Sequence, residues 1–363
     1  MVINQIDRAQ QFEWLIEATD PQRIAFEFVL LNAGDSHLER YLRQRGLPVR
    51  RIPYRRPLDL PRCLLALLGH WLRHPPDGVH THLHIASFVG LVAAWLLRLP
   101  RLHTRHHSTL HHEYHPHARW RDRLINRLSH RVVAISPAVR QVLVEREGVP
   151  RDRIVLIPHG FRLEAFAHPT PERVAGLARR YNPHSKRPVV GLVSRFTAWK
   201  GVEHAIGAWP QVLARYPDAL LLLANAQGDA EAELYKLLDT LPAGSWQAIR
   251  FESDIQSFYA LMDVFVHVPI DAWCEAFGQT YVEAAAAGVP LVCTLSGIAP
   301  EWVRHRENAW VVPYRSAEAI AEGVLALLDK PDEARRIARQ AQADVQRYDL
   351  APFAEAHWRL YGI

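Results

Sequence analysis

Short runs of β-branched and apolar residues alternate with helical stretches along the whole chain, and the series is run through twice. Such alternation is the signature of parallel strands covered by helices, an α/β architecture. The first series predicts strands at FEFVLLN (26–32), VRRIPY (49–54), VHTHL (79–83), RLHTRH (101–106), RVVAIS (131–136) and IVLIPHG (154–160). Only Met1–Asn4 is left to form an opening strand. Helical patterns lie between, including LERYLRQRG (38–46) and an apolar segment at 85–98. A polar, proline-containing stretch (167–188) marks the expected boundary. Strands then follow at VVGLV (189–193), LLLLANA (220–226), AIRFES (248–253), VFVHVP (264–269), VPLVCT (289–294) and WVVPY (310–314), with a closing helix at 317–329. The expectation is two Rossmann-like domains, 1–165 and 180–345, with the end of the chain, about 346–363, packing back on the first through Trp358 and Tyr361. Pro210 is expected to kink or divide its helix. Ligands of such sheets bind at the carboxyl ends of strands, so the loops there are the places to search.

At 363 residues the chain exceeds one comfortable core, and 49% hydrophobic with 22% charged residues excludes disorder. Three dispersed cysteines, Cys63, Cys274 and Cys293, form neither a disulfide framework nor a zinc signature. No secretory signal is read, and FVGLVAAWLL (88–97) is half of a membrane span, so a cytoplasmic protein is expected. Charge is uneven. Residues 1–165 carry 24 Arg and no Lys against 15 acidic residues, whereas the remainder carries 19 basic and 23 acidic residues. The basic half suits an anionic inner membrane face, a nucleic acid or a phosphorylated acceptor. A composition that places arginine wherever a solvated cation serves explains it at least as well, with four Lys in the whole chain. The arginines of this half are scattered over predicted helices rather than set in one stripe, which argues against a nucleic-acid partner.

Two carboxylates, Glu275 and Glu283, stand eight positions apart in EAFGQTYVE, which runs into AAAAGVPLV. The helix after this turn ends at Gly288, and Pro290 forbids its return. A helix opening from a glycine turn offers backbone N–H groups and a positive dipole end to a phosphate. Glu283, in the second helical turn, is placed for a ribose hydroxyl, and Glu275 for sugar hydroxyls. SRFTAWKG follows the strand at 189–193, and its Arg195 and Lys200 are suited to neutralising a diphosphate whose bond is breaking.

SRFTAWKG, EAFGQTYVEAAAAGVPLV and SGIAPE together resemble the nucleotide-sugar-binding half of retaining glycosyltransferases of family 4, with a glycogen-synthase-like C-terminal domain. IPHGF (157–161) and AISPAV (134–139) extend the likeness to the first half. The resemblance implies a GT-B fold, in which two Rossmann-like domains face each other across a cleft. It implies that Arg195 and Lys200 hold the donor diphosphate, Glu283 the ribose and Glu275 the transferred sugar. Ala276, Phe277, Gly278 and Gln279 would line the donor, with Ser296 and Gly297 closing its pocket. It further implies a UDP- or GDP-sugar donor and a glycan or lipid-linked acceptor. The reaction would retain configuration without a cofactor or metal, since no Asp-x-Asp motif is present. Whether it passes through a covalent intermediate or a same-face attack is open. One departure is the N-terminus, where the family's glycine-rich loop is not found: either Asn4-Gln5-Ile6-Asp7 forms a substitute without glycine, or a few residues are missing from the start.

Fifteen of the 21 histidines precede residue 166, most densely in TRHHSTLHHEYHPH (104–117). Their spacing matches no closed metal site, and Glu113 is the one carboxylate read beside them, so no metal is assigned. By resemblance, either His106 or His107 in TRHHS would hydrogen-bond a sugar hydroxyl or orient the acceptor, with His106 the first choice because it follows Thr104 at the family's spacing. His80, His82 and His84 are expected to alternate along one strand face. The alternative readings are an epimerase or phosphorylase of the same fold, or a histidine-rich metal-binding protein.

Overall fold

The computed structural model describes residues 1–362. It divides into two compact units: residues 1–161 joined by the chain from Leu350 onward, and Arg162–Asp349.

The first unit is built on a seven-stranded sheet: β1 (Val2–Asn4), β2 (Phe28–Leu31), β3 (Val49–Arg51), β4 (Val79–His82), β5 (Arg101–Arg105), β6 (Arg131–Ala134) and β7 (Ile154–Leu156). All pairings are parallel, in the order β3-β2-β1-β4-β5-β6-β7. Successive side chains of a strand point to opposite faces. Val29 and Leu31 therefore enter one core with Leu67 and Trp71, while Phe28 and Leu30 enter the other with Phe12 and Phe353. Both faces being covered explains why these strands read as continuous apolar runs.

The second unit has six parallel strands: β8 (Val189–Val193), β9 (Leu220–Ala224), β10 (Trp246–Ile249), β11 (Val264–His267), β12 (Leu291–Cys293) and β13 (Trp310–Val311). Their order is β10-β9-β8-β11-β12-β13. In both sheets the winding reverses beside the unit's first strand, and this reversal opens a crevice at the strands' carboxyl ends.

Several expectations are corrected. Pro210 lies inside one helix, Val202–Arg215, which it does not divide. That helix buries Ala205, Ile206, Trp209 and Val212, and this packing offsets the hydrogen bond proline cannot donate. The third strand of the second sheet is Trp246–Ile249 rather than 248–253; Trp246 and Ala248 pack on the core, whereas Phe251 is 60% exposed. The polar stretch at 167–188 is largely a helix, Pro171–Tyr181, within the second unit, and the units change over at 161/162. Pro331–Asp344 also belongs to the second unit, while the helix Leu350–Tyr361 belongs to the first. There Trp358 Nε1 donates to Thr19 Oγ1 at 3.0 Å, and Tyr361 Oη lies 2.8 Å from His80 Nδ1. His84 is not on the strand with His80 and His82; it begins the helix His84–Leu96, after Leu83 at φ 66°. The first loop turns without glycine through Gln5 at φ 48°, and Asn32 braces it with bonds to the Ile6 backbone. Among the described residues, no helix is long and apolar enough to cross a membrane.

Candidate active site

The reversal in the second sheet sets the loops after β8 and β11 side by side. Gly201 has φ 67°, and a Cβ there would sit 2.1 Å from the Val268 carbonyl oxygen, so only glycine permits this approach. Ile270 N donates to the Trp199 carbonyl at 3.2 Å, and Cys274 Sγ reaches the same oxygen at 3.4 Å.

Across this seam the Lys200 ammonium pairs with the Glu275 carboxylate. His267, the last residue of β11, brings Nε2 to 3.2 Å from Glu275 Oε1. Burial alone would raise the Glu275 carboxyl, but Lys200 and then His267 more than offset it and hold the group at about 2. Glu275 is thus a buried, fully ionised carboxylate.

The loop carrying Glu275 is fastened to the one after β12. Glu275 N donates to Ser296 Oγ at 3.3 Å, and Ile298 N to the Phe277 carbonyl at 2.8 Å. Gly297, at φ 62°, lies so close that a Cβ would meet Phe277 O at 2.5 Å and Glu275 Cβ at 2.9 Å. The helix Gln279–Ala286 then opens from Gly278 at φ 84°. In its first turn Thr280 Oγ1 is buried without a hydrogen-bond partner among the described residues. A helix N-terminus beside an ammonium and a buried hydroxyl is suited to an anionic ligand.

The two carboxylates of the motif have different surroundings. Glu283 accepts a hydrogen bond from Tyr259 Oη at 2.8 Å rather than joining Lys200. Its burial raises it to about 7, against the smaller lowering by that bond. Lys200, Glu275, Phe277, Gly278, Ser296 and Gly297 thus form one continuous cluster, with Ala276 and Gln279 as chain neighbours. Arg195 is in the loop after β8 and exposed. His267 escaped the sequence reading; its signal was a histidine at the carboxyl end of an otherwise apolar strand.

His106 lies in the first unit, just past β5. Its Nε2 is 3.1 Å from His82 Nδ1, and its ring stacks on His159 at 5.8 Å and 13°. Together with Gln11, Phe12 and His357 these rings line a cavity. Burial first, then His357, lowers His106 to about 4, so at neutral pH it is a neutral hydrogen-bonding ring and not a cation. His80 is occupied by Thr104 Oγ1 at 2.7 Å and by Tyr361. His107, His111 and His112 turn elsewhere, the first two toward Asp122 and the third toward Glu147.

Both halves of the chain match known proteins. The family described as glycosyl transferases group 1 matches residues 177–344, and glycosyltransferase family 4 matches residues 15–165. A GDP-mannose-dependent monoacylated alpha-(1-6)-phosphatidylinositol monomannoside mannosyltransferase of Corynebacterium glutamicum is 29% identical, over 57% of this chain and 53% of its own. The chain therefore spans about half the length of that relative. A D-inositol 3-phosphate glycosyltransferase of Corynebacterium aurimucosum is 27% identical, over 79% of this chain and 71% of its own. Anabaena HepE, solved in complex with UDP and glucose, superposes with a TM-score of 0.83 at 21% identity, over 99% of both chains. That likeness shows the GT-B fold.

Proposed function

The chain belongs to the family-4 glycosyltransferases, and on that premise we propose that it moves a hexose-type sugar from a UDP- or GDP-sugar to a glycan or lipid-linked acceptor. The product would enter cell-surface polysaccharide or glycolipid synthesis. The observation that carries this reading is the Lys200–Glu275 pair at the reversal of the second sheet, beside the N-terminus of the helix Gln279–Ala286. Lys200, the helix dipole and Arg195 neutralise the donor diphosphate without a metal ion or other cofactor. Glu275, held ionised by Lys200 and His267, accepts hydrogen bonds from the hydroxyls of the transferred sugar. Glu283 is assigned to the ribose, and His106 to the sugar or the acceptor. The GDP-mannose-dependent relative and the UDP-bound neighbour support a nucleoside-diphosphate donor.

The step proceeds with retention. The bond from the anomeric carbon to the diphosphate oxygen breaks, the acceptor oxygen bonds to the same face, and its proton passes to the leaving phosphate. Glu275, paired with Lys200, serves as a positioning and electrostatic group rather than a nucleophile. Incubation with a panel of nucleotide sugars, followed by NMR of the anomeric proton, tests this. Transfer with unchanged anomeric configuration, equally fast without added Mg²⁺ or Mn²⁺, is expected; inversion, or strict dependence on an added metal, would overturn it.

A lipid-linked acceptor requires the enzyme at a membrane face, and the first unit offers a suitable surface. Leu65 and Leu72, both 69% exposed, lie seven residues apart on one side of the helix Leu60–Arg73. Trp95 and Trp120, 52% and 57% exposed, stand on the helices His84–Leu96 and Arg119–Leu128, the first of which packs against both Leu60–Arg73 and the second. The same helices carry the exposed Arg62, Arg73 and Arg123, and apolar side chains with cations suit anionic lipid headgroups. Leu65→Glu/Leu72→Glu is expected to release the enzyme from sedimenting anionic vesicles while leaving its fold, by circular dichroism, intact. Unchanged co-sedimentation would remove the membrane from the account.

A further inference from the structure

Three histidines of the first unit, His84, His107 and His111, are gathered around one buried carboxylate, Asp122, which reaches them from the helix Arg119–Leu128. Asp122 Oδ2 lies 2.7 Å from His111 Nδ1 and 3.1 Å from the Arg105 guanidinium. Arg105 is shared with a second carboxylate, Glu147, at 2.5 Å, which also takes His112 at 3.1 Å and the Asn126 amide at 2.6 Å. Glu147 thus has a complete set of partners. Asp122 Oδ1 does not.

That oxygen is buried and makes no hydrogen bond, and His84 Nε2, which faces it, is likewise buried and unpartnered. The separation of the two is 3.8 Å, and His107 Nε2 stands 3.6 Å from the same oxygen. These distances are too long for hydrogen bonds. They approach the spacing of two donors on one tetrahedral ion, roughly 3.4 Å when each donor lies about 2.0–2.1 Å from zinc. His84, His111 and Asp122 each bring one donor atom to within 4.8 Å of the other two.

From this geometry we propose that His84, His107, His111 and Asp122 bind a divalent transition metal, zinc by its ligand chemistry. Imidazoles with one carboxylate suit zinc, and the ligands come from three separate segments. The ion ties the start of the helix His84–Leu96 and the helix Arg119–Leu128 to the loop that follows β5. Its role is to hold that loop, and no step of sugar transfer passes through it. Glu113, the carboxylate nearest in sequence, takes no part; it pairs with Arg146 at 2.8 Å.

The test uses the full chain, purified without a polyhistidine tag. Metal analysis is expected to find about one zinc per chain. After removal by chelator, calorimetric titration with Zn²⁺ and absorption spectroscopy with Co²⁺ should both show one site. His84→Ala, whose side chain is partly exposed, and His107→Ala should each weaken that site by about a hundredfold while far-UV circular dichroism stays unchanged. Two results would overturn the proposal: failure of the stripped wild-type chain to take up Zn²⁺ or Co²⁺, or uptake that both substitutions leave unchanged, which would mean adventitious binding by other imidazoles. Nucleotide binding serves as an independent readout that these variants should not alter.

Discussion

At the scale of single residues, the two glutamates of one motif are made chemically unlike by their neighbours. Glu275 is held at about 2 despite its burial, chiefly by Lys200 and then His267. A folded-state value below the unfolded one stabilises the fold fully above the unfolded value, and the benefit is lost as pH falls toward about 2. Lys200→Met removes the main counter-charge, so its acid-unfolding midpoint, followed by circular dichroism, should move to higher pH. Its turnover should fall on the order of a hundredfold or more if, as proposed, that charge faces the leaving diphosphate. A variant with wild-type turnover would show that the pair is structural. Glu283 has the opposite sign. Its raised value, about 7, means that the folded chain binds a proton the unfolded chain has released. Stability contributed by that proton is present at low pH and declines as pH rises from the ordinary glutamate range to about 7. Glu283→Gln should flatten that decline, measurable as urea midpoints across the interval; an unaltered slope would contradict the assignment.

At the scale of elements, the site is a consequence of close approach between loops, which particular glycines allow. Gly297→Ala would drive a methyl group into Phe277 O and Glu275 Cβ in a backbone region that side chains rarely adopt. A cost of about 1–3 kcal/mol is expected. Because the strain falls on the segment carrying Glu275, donor affinity should drop more than the thermal midpoint alone would suggest. Equal donor affinity in the variant would show that this loop does not shape the donor pocket. Elements of this kind were unequally legible. VVGLV and the helix 317–329 could be read to the residue because local pattern alone bounds them. The strand at Trp246–Ile249 was misjudged because its register depends on β9 and on which side chains find the core. That Pro210 does not divide its helix has a related reason: helix packing, invisible in a local window, outweighs one lost hydrogen bond. Lys200 and Glu275 were both legible as candidates from composition and position. Their direct pairing joins residues 75 positions apart and needs the sheet order to be seen, whereas His267 acts on Glu275 from the end of the strand just before it. Asp122 was missed for the same cause, since its histidines come from other segments.

At the scale of the whole molecule, two parallel sheets repeat one winding rule, yet they carry different chemistry at their carboxyl ends. The second presents a lysine, a carboxylate and a helix N-terminus, a set suited to a nucleoside diphosphate. The first presents neutral, buried imidazoles, suited to hydroxyl groups rather than phosphates. This division of labour makes donor binding by the second unit the central claim. It is tested most directly by isothermal titration of the full chain with UDP, GDP and ADP, for wild type and Lys200→Met, in buffer without Mg²⁺ or Mn²⁺. The account predicts saturable binding of UDP or GDP by the wild type and a loss of about tenfold or more in the variant. Absence of binding by all three nucleotides, or equal binding by the variant, would contradict it.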